Sequence, residues 1–374
     1  MANAVDIIEA LEAIALDFSK NVIERQKRQA LDPADFARLK EAGFLLTGVP
    51  ADQGGLWQGV AGSARNYANM VRAIAHGDPS VAMVASMHPA VTVFFLGVET
   101  VRDHPDAWRD QRQWVIDSAY ESWWGTVTSE PGSGGDIMKT KSVAVESGSG
   151  YLLSGDKHFG SGSGFSDYMI TMARVPGSDM PDLFILQYKD EPWDGSTGCK
   201  ITVPWDGIGM SSTQSHAFQF TNFPATKAAS SEVLSGVAAV TSQMSNMLFT
   251  AVVLGVADNA LAFANAKLKG KEASMRAYEK VEMIRCRNEL WLAEQAMEGA
   301  LRAIEASEVD AQTTALRCKV VCAELVDTAL GRMAKVVGGA SFSKAMPLAQ
   351  WTQDVKALGF LRPPLPLAFD QLIN

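Results

Sequence analysis

The chain has 374 residues, of which 47% are hydrophobic, and its formal net charge is −9. This length and composition allow a buried core and two or three domains. The acidic balance and the lack of any basic block argue against nucleic acid or an anionic membrane as a partner. The acidic N-terminus and the short apolar runs predict a cytoplasmic protein without a membrane segment. The four cysteines have neither a disulfide nor a metal-ligand spacing, so we expect buried thiols and no metal site.

Residues 1–120 have the apolar spacing of helices. Asp32-Pro33 is a typical helix start and Gly43 is a typical stop. Residues 61–97 predict two helices that are separated at Gly77-Asp78-Pro79. His88 directly precedes Pro89, which predicts a helix end at that histidine.

From about residue 122, strand-like runs alternate with turn residues as far as Pro224. After about residue 233, three long alanine-rich segments at 233–268, 275–307 and 310–336 favour a helical bundle. A short helix follows at 347–358, and the segment LRPPLP at 361–366 predicts the end of regular structure.

These patterns predict an α+β multidomain fold in three parts. We expect an N-terminal α-helical domain at 1–122, a middle antiparallel β-barrel-like domain at 123–231 and a C-terminal four-helix bundle at 232–374.

Two glycine-rich segments stand out in the β region, WGTVTSEPGSGGD at 124–136 and GDKHFGSGSGFSD at 155–167. Their small residues would let the backbone approach a ligand closely, although ordinary hairpin turns explain single glycines equally well. With VPADQGG at 49–55, FQFTNFPA at 218–225 and VGG at 337–339, they occur in the order typical of one family. In these segments the chain resembles the acyl-CoA dehydrogenase superfamily.

The resemblance implies a flavin cofactor, FAD or alternatively FMN, and a homotetramer built as a dimer of dimers. It implies that Thr128 and Ser129 face the pyrimidine edge of the flavin, and that Phe159 and Ser161 lie near its dimethylbenzene ring and N5. Gly134 would lie beside the cofactor. Gly338 and Gly339 would approach the pyrophosphate held by a neighbouring subunit.

Two departures from the family concern the chemistry and the nucleotide. Acyl-CoA dehydrogenases use a glutamate base, and the alignment places Arg362 at that position, where it cannot act as a base. The other family position for the base falls at Ser245-Asn246, which again lacks an acid. The segment ANAKLKGKEASM at 264–275 replaces the arginine-containing segment that holds FAD, so the cofactor would be bound differently or would be FMN.

The monooxygenase branch of the superfamily offers a different reading. Its members resemble this chain in the F-x-S-G motif at 159–162 and in a histidine of an N-terminal helix, here His88. Reduced flavin would come from a partner reductase or another electron-transfer protein. The candidate catalytic residues are therefore His88, Ser161 and Arg362, in a dry pocket for a small apolar or aromatic substrate. The expected apolar wall consists of Met83, Met87, Phe94 and Phe95.

Other interpretations remain for several of these side chains. His88 can serve as a helix-end residue. His158 can point away from the flavin, and both His158 and His216 can have purely structural roles. Arg362 can contact a substrate anion or form a salt bridge. Glu130 is expected to make a structural hydrogen bond. Trp123 and Trp124 are expected to anchor the core between domains.

Two alternative functions also follow from the sequence. The first is acyl-CoA dehydrogenation with a relocated base such as Glu324 or Asp354. The second is a non-catalytic scaffold that binds flavin and a partner.

Overall fold

The computed structural model describes residues 3–98, 101–178, 180–228, 231–271 and 273–373, without the side chains of 231–235. Helices give way to strands at Trp124 and return at Ser231. The division into domains at 122/123 and 231/232 stays a prediction. The helices are α1 Ala4–Ser19, α2 Val22–Gln26, α3 Pro33–Glu41, α4 Gly59–Gly77, α5 Pro79–Leu96, α6 Asp106–Ala119, α7 Ser231–Leu268, α8 Ala277–Glu305, α9 Ala311–Val337, α10 Pro347–Asp354 and α11 Leu365–Ile373. The strands are β1 Trp124–Thr126, β2 Val143–Ser147, β3 Gly150–Gly160, β4 Tyr168–Ala173, β5 Asp182–Gln187, β6 Cys199–Val203 and β7 His216–Lys227.

Local capping signals set the helix limits in the N-terminal part. The Asp32 side chain accepts a hydrogen bond from Ala34 N at 3.0 Å and begins α3. Asp78 accepts from Val81 N at 3.0 Å and begins α5, which confirms the predicted break before it. These carboxylates satisfy amide groups that have no partner within their helices.

The predicted helix end at His88 is wrong, because α5 continues through Pro89 to Leu96. A proline inside a helix removes one backbone hydrogen bond and costs about 3 kcal/mol. Nearly every residue of α5 is buried, and the helix packs against α4 and α7. Burial of its whole surface outweighs the local preference of one residue.

The middle part is a seven-stranded sheet in the order β1-β4-β5-β7-β3-β2, with β6 also paired to β7. The pairings are antiparallel as expected, except that β1 runs parallel to β4. A bridge between Val143 of β2 and Arg174, just beyond β4, brings the two ends of the sheet together. This closure gives the sheet its barrel-like form.

Helices α7, α8 and α9 pack against one another in the C-terminal part, and α10 packs on α7 and α9 as the fourth helix of the bundle. Helix α9 ends where Gly338 adopts a φ of +97°. The prediction that regular structure ends at 361–366 is wrong, because α11 begins at Leu365. Pro366 falls in the first turn of α11, where proline is tolerated. Ala368 packs on Leu316 and Val320 of α9 and holds α11 in place.

One apolar core joins the N-terminal helices to the C-terminal bundle. Trp123 and Trp124 are buried at the junction with the sheet, as predicted, and Trp124 stacks on Tyr168 with ring centroids 4.8 Å apart. By length and composition alone, α5 and residues 236–268 of α7 could cross a membrane, contrary to the sequence expectation. Their apolar windows are 94% and 72% buried inside the protein, as in core helices. The four cysteines are buried free thiols.

Candidate active site

A cleft of about 620 Å³ lies between the β sheet and the C-terminal bundle. The sheet contributes the loop after β1 and the end of β3, while the bundle contributes α9 and the segment between α10 and α11. The lining residues are Ser129, Gly134, Gly135, His158 and Phe159 on the sheet side, and Ala323, Asp327, Lys356, Gly359, Phe360, Arg362, Pro364, Leu365 and Pro366 on the bundle side.

A buried ion pair holds the sheet side of the cleft. Glu130 accepts hydrogen bonds from Lys157 Nζ at 2.5 Å, Lys141 N at 2.6 Å and Ser142 Oγ at 2.8 Å. Burial raises the pKa of the Glu130 carboxyl, but the bonds from Lys157, Thr140 and Lys141 outweigh it and lower that pKa to about 2. Glu130 therefore has the structural role that the sequence predicts.

Gly135 lets the loop after β1 pack on the opposite side of the cleft. It adopts a φ of +84°, and a Cβ atom built there would lie 2.7 Å from Cγ of Pro364. A side chain at this position would be both strained and in collision. The glycine-rich loop thus fixes the distance between the two walls.

Aromatic side chains line both walls. Phe159 adopts a φ of +55° and is 58% exposed, and Phe360 across the cleft is 80% exposed. His158 also lines the cleft and stacks on Phe159 with ring centroids 4.6 Å apart. His158 is therefore part of the cleft lining, and the interpretation that it points away from the flavin stays a prediction. The backbone of β3 turns at Phe159, so side chains there no longer alternate strictly between the two faces of the sheet.

Arg362 brings a positive charge into the cleft. No carboxylate pairs with it and no hydrogen bond reaches it from the described parts of the chain, so the salt-bridge interpretation has no support. Burial lowers the pKa of its guanidinium to about 10, which leaves it protonated at neutral pH. Lys319 of α9 fixes the backbone around it by donating to Leu361 O at 2.6 Å and to Pro363 O.

The carboxylate of the cleft lies elsewhere than the sequence predicts. Asp327 of α9 lines the cleft and forms an ion pair with Lys356. Glu324 is exposed and Asp354 is buried, and neither lines the cleft. Asp354 accepts from Met210 N at 2.7 Å and from Gln350 Nε2 at 2.9 Å, and burial raises its pKa to about 7. It joins α10 to the sheet rather than facing the cleft.

Two of the predicted catalytic residues lie outside the cleft lining. His88 is fully buried, with Nε2 3.0 Å from Leu45 O, and burial lowers its pKa to about 4. Its Nδ1 has no hydrogen-bond partner in the described structure. Ser161 Oγ lies 2.8 Å from Ser215 Oγ, which continues to the Thr213 hydroxyl. Their catalytic roles stay predictions.

Some of the predicted cofactor residues line the cleft and others do not. Ser129, Gly134 and Phe159 line the cleft, whereas Thr128 is buried behind it. Gly338 and Gly339 follow α9 outside the cleft lining, with open space where a side chain would be. Met83, Met87 and Phe95 lie in the packed core and Phe94 packs beside it, so these four do not form a wall of this cleft.

Sequence reasoning missed Asp327, Lys356 and Phe360. Each falls within an ordinary helix or turn pattern, and only the packing of α9 on the segment after α10 brings them to the cleft. The charge pattern gives no signal of that contact. No cluster of potential metal ligands occurs in the described ranges.

The model of the acyl-CoA dehydrogenase middle domain matches residues 125–223. This part of the chain is therefore similar to the middle domain of acyl-CoA dehydrogenases. The matched range begins at Gly125 in β1 and ends at Phe223 in β7, and it includes the two glycine-rich segments except for Trp124.

Over longer stretches, the chain is similar to a monooxygenase and to a putative acyl-CoA dehydrogenase. It is 26% identical to the dibenzothiophene monooxygenase of Rhodococcus erythropolis over 280 residues, a match that covers 68% of this chain and 60% of the relative's length. It is 23% identical to the putative acyl-CoA dehydrogenase YdbM of Bacillus subtilis, over 96% of this chain and 93% of that protein. The crystal structure of FMN-bound TdsC from Paenibacillus sp. A11-2 has the same fold, with a TM-score of 0.81 and 16% identity over 98% and 96% of the two chains.

Proposed function

We propose that this protein belongs to the acyl-CoA dehydrogenase superfamily and is a flavin-dependent monooxygenase that acts on a small organic molecule. Its flavin, as FAD or FMN, is proposed to bind in the cleft and to receive electrons from a separate reductase. A bound flavin would supply the redox and oxygen chemistry. The observation that carries the proposal is the cleft itself, where Arg362 lines the wall and the lining carboxylate of Asp327 is engaged by Lys356. The sequence predicts that Arg362 stands where the family has its base.

The residues of the cleft fit a flavin. A flat, partly apolar ring system would cover Phe159 and Phe360, which are otherwise exposed to water. The volume of about 620 Å³ falls within the usual range for cofactor sites. Open space at Gly134 lets the backbone approach such a ring, and no side chain would be displaced there.

Each wall has a separate task in the proposed reaction. The sheet side positions the flavin through the backbone of the loop after β1 and the ring of Phe159. The bundle side shields the reacting atoms from water with Phe360 and offers positive charge from Arg362. Burial lowers the pKa of His158, so its neutral imidazole could accept a proton at the edge of the cleft.

The proposed activity is tested with the flavin-loaded protein, an external flavin reductase and isotopically labelled oxygen gas. Substrates would include dibenzothiophene, which the name of one relative suggests, and other small sulfur and aromatic compounds. We expect one labelled oxygen atom in the product, and no product without the reductase. Unlabelled product, or turnover without the reductase, would contradict the monooxygenase reaction.

Acyl-CoA dehydrogenation with a relocated base is the second candidate. Asp327 favours it, because this carboxylate lines the cleft and could act as the base if Lys356 moved away. The similarity to the putative acyl-CoA dehydrogenase YdbM points the same way. A non-catalytic scaffold fits less well, because the cleft is open rather than filled by side chains.

We also propose a cytoplasmic homotetramer built as a dimer of dimers. Val281, Ile284 and Trp291 form an exposed apolar row on one side of α8, with exposed fractions of 45%, 57% and 61%. Contact with another copy would remove this row from water.

A further inference from the structure

Arg362 is a partly buried cation for which the described chain provides no counter-charge. Lys157, whose ammonium is already paired with Glu130, is another cation that senses it: burial, and to a smaller extent the charge of Arg362, lower the pKa of Lys157. Lys319, on the other side of the loop, donates to backbone carbonyls, and no carboxylate in the described ranges pairs with it. A positive charge in such a place is costly unless an anion joins it.

The backbone on both sides of Arg362 is held in place. The two carbonyl groups that receive hydrogen bonds from Lys319 belong to Leu361 and Pro363, directly on either side of Arg362. Pro364, the next residue but one, packs on Gly135 across the cleft. The planar guanidinium that this backbone carries has several donors in one plane, which suits a flat or tetrahedral oxyanion.

We propose that Arg362 forms an oxyanion subsite that stays accessible when the flavin is bound. It would hold a carboxylate, sulfinate or sulfonate group of the substrate, while the exposed ring of Phe360 would contact the apolar part. This proposal rests on the proposed function, because it concerns the substrate of that reaction. An oxyanion subsite at Arg362 would limit the proposed substrates to small organic anions.

The test is calorimetric titration of the oxidised, flavin-loaded protein with methanesulfonate and with benzoate. We expect Arg362→Gln to weaken binding of both roughly 10- to 100-fold, the usual effect of losing charge-assisted hydrogen bonds. Arg362→Lys keeps the charge without the planar fork and should recover part of the affinity. Lys200→Gln is the control, because this exposed lysine of β6 lies outside the cleft lining. It should change affinity less than about threefold.

Flavin content and circular dichroism of each variant show whether the fold and the cofactor are retained. Equal anion affinity in the wild type and Arg362→Gln would overturn the proposal. So would anion binding to the flavin-free protein alone, since the subsite would then belong to the flavin's phosphate. The titration needs neither oxygen nor turnover. Loss of oxygenation with retained anion binding would therefore count against the proposed function only.

Discussion

Replacing Glu130 with alanine is expected to lower the free energy of unfolding by about 3–5 kcal/mol. The substitution leaves the ammonium of Lys157 fully buried without its counter-ion, since the two side chains are 5% and 0% exposed. It also removes the acceptor of Lys141 N and of the Ser142 hydroxyl. Urea denaturation at neutral pH measures the change.

Glu146→Ala is the matched control for this prediction. Glu146 lies in the same sheet, is exposed and bonds only Tyr151 Oη, at 3.1 Å, among the contacts described. Glu146→Ala should lower the free energy of unfolding by less than about 1 kcal/mol. If Glu130→Ala lowered the free energy of unfolding no more than this control does, the ion pair would not stabilise the sheet side of the cleft. A double variant that also carries Lys157→Met should be more stable than Glu130→Ala, because the unpaired charge is gone.

The contribution of Glu130 should also depend on pH. Its pKa is about 2 in the folded protein and has an ordinary value of 4.5. A carboxyl whose pKa is lowered by folding stabilises the protein above its unfolded pKa, and that contribution is lost as the pH falls through the folded value. The difference between wild type and Glu130→Ala should therefore shrink as the pH falls from about 4.5 towards 2.

Gly135→Ala is expected to weaken flavin binding at least roughly tenfold, which corresponds to about 1.4 kcal/mol. The new Cβ would lie 2.7 Å from Cγ of Pro364, at a φ of +84° that alanine adopts only under strain. Relief of this collision would move Pro364 and with it Arg362, so the two walls of the cleft would separate. Titration of the flavin-free protein with FMN and FAD, followed by flavin fluorescence, gives the affinity.

Gly148→Ala is the control for Gly135→Ala, because it introduces the backbone strain of a positive φ without a collision of the new Cβ atom. Gly148 has a φ of +61° in the turn between β2 and β3, and no atom lies within 4 Å of the added Cβ. This control should lose about 1–2 kcal/mol of stability and keep its flavin affinity. Equal flavin affinity in the two variants would show that the contact between Gly135 and Pro364 does not shape the site.

The order of helices, sheet and bundle could be predicted from the sequence because its signals are local. Asp32 and Asp78 begin helices through their own side chains, and a glycine ends α9. The continuation of α5 through Pro89 could not be predicted from the sequence, because it depends on the helices that pack around α5. The helix after Leu365 was missed for the same reason, because its contact is with α9.

The candidate site was predictable in part. Phe159 and Ser129 follow from the glycine-rich motifs, and Arg362 follows from an alignment position. The anchoring of Arg362 by Lys319 joins residues more than 40 positions apart, and Asp327 enters the cleft only through the packing of α9. His88 illustrates the converse, because a histidine that looks available in the sequence lies in the fully packed core.

The most direct test of the central claim is anaerobic mixing of the oxidised, flavin-loaded protein with acyl-CoA thioesters of several chain lengths. If Arg362 replaces the base and Lys356 engages Asp327, the visible absorbance of the bound flavin should stay unchanged. The same protein should consume oxygen once an external reductase supplies electrons in the presence of a substrate. Rapid bleaching of the flavin by an acyl-CoA thioester, abolished by Asp327→Asn, would contradict the account and establish a dehydrogenase.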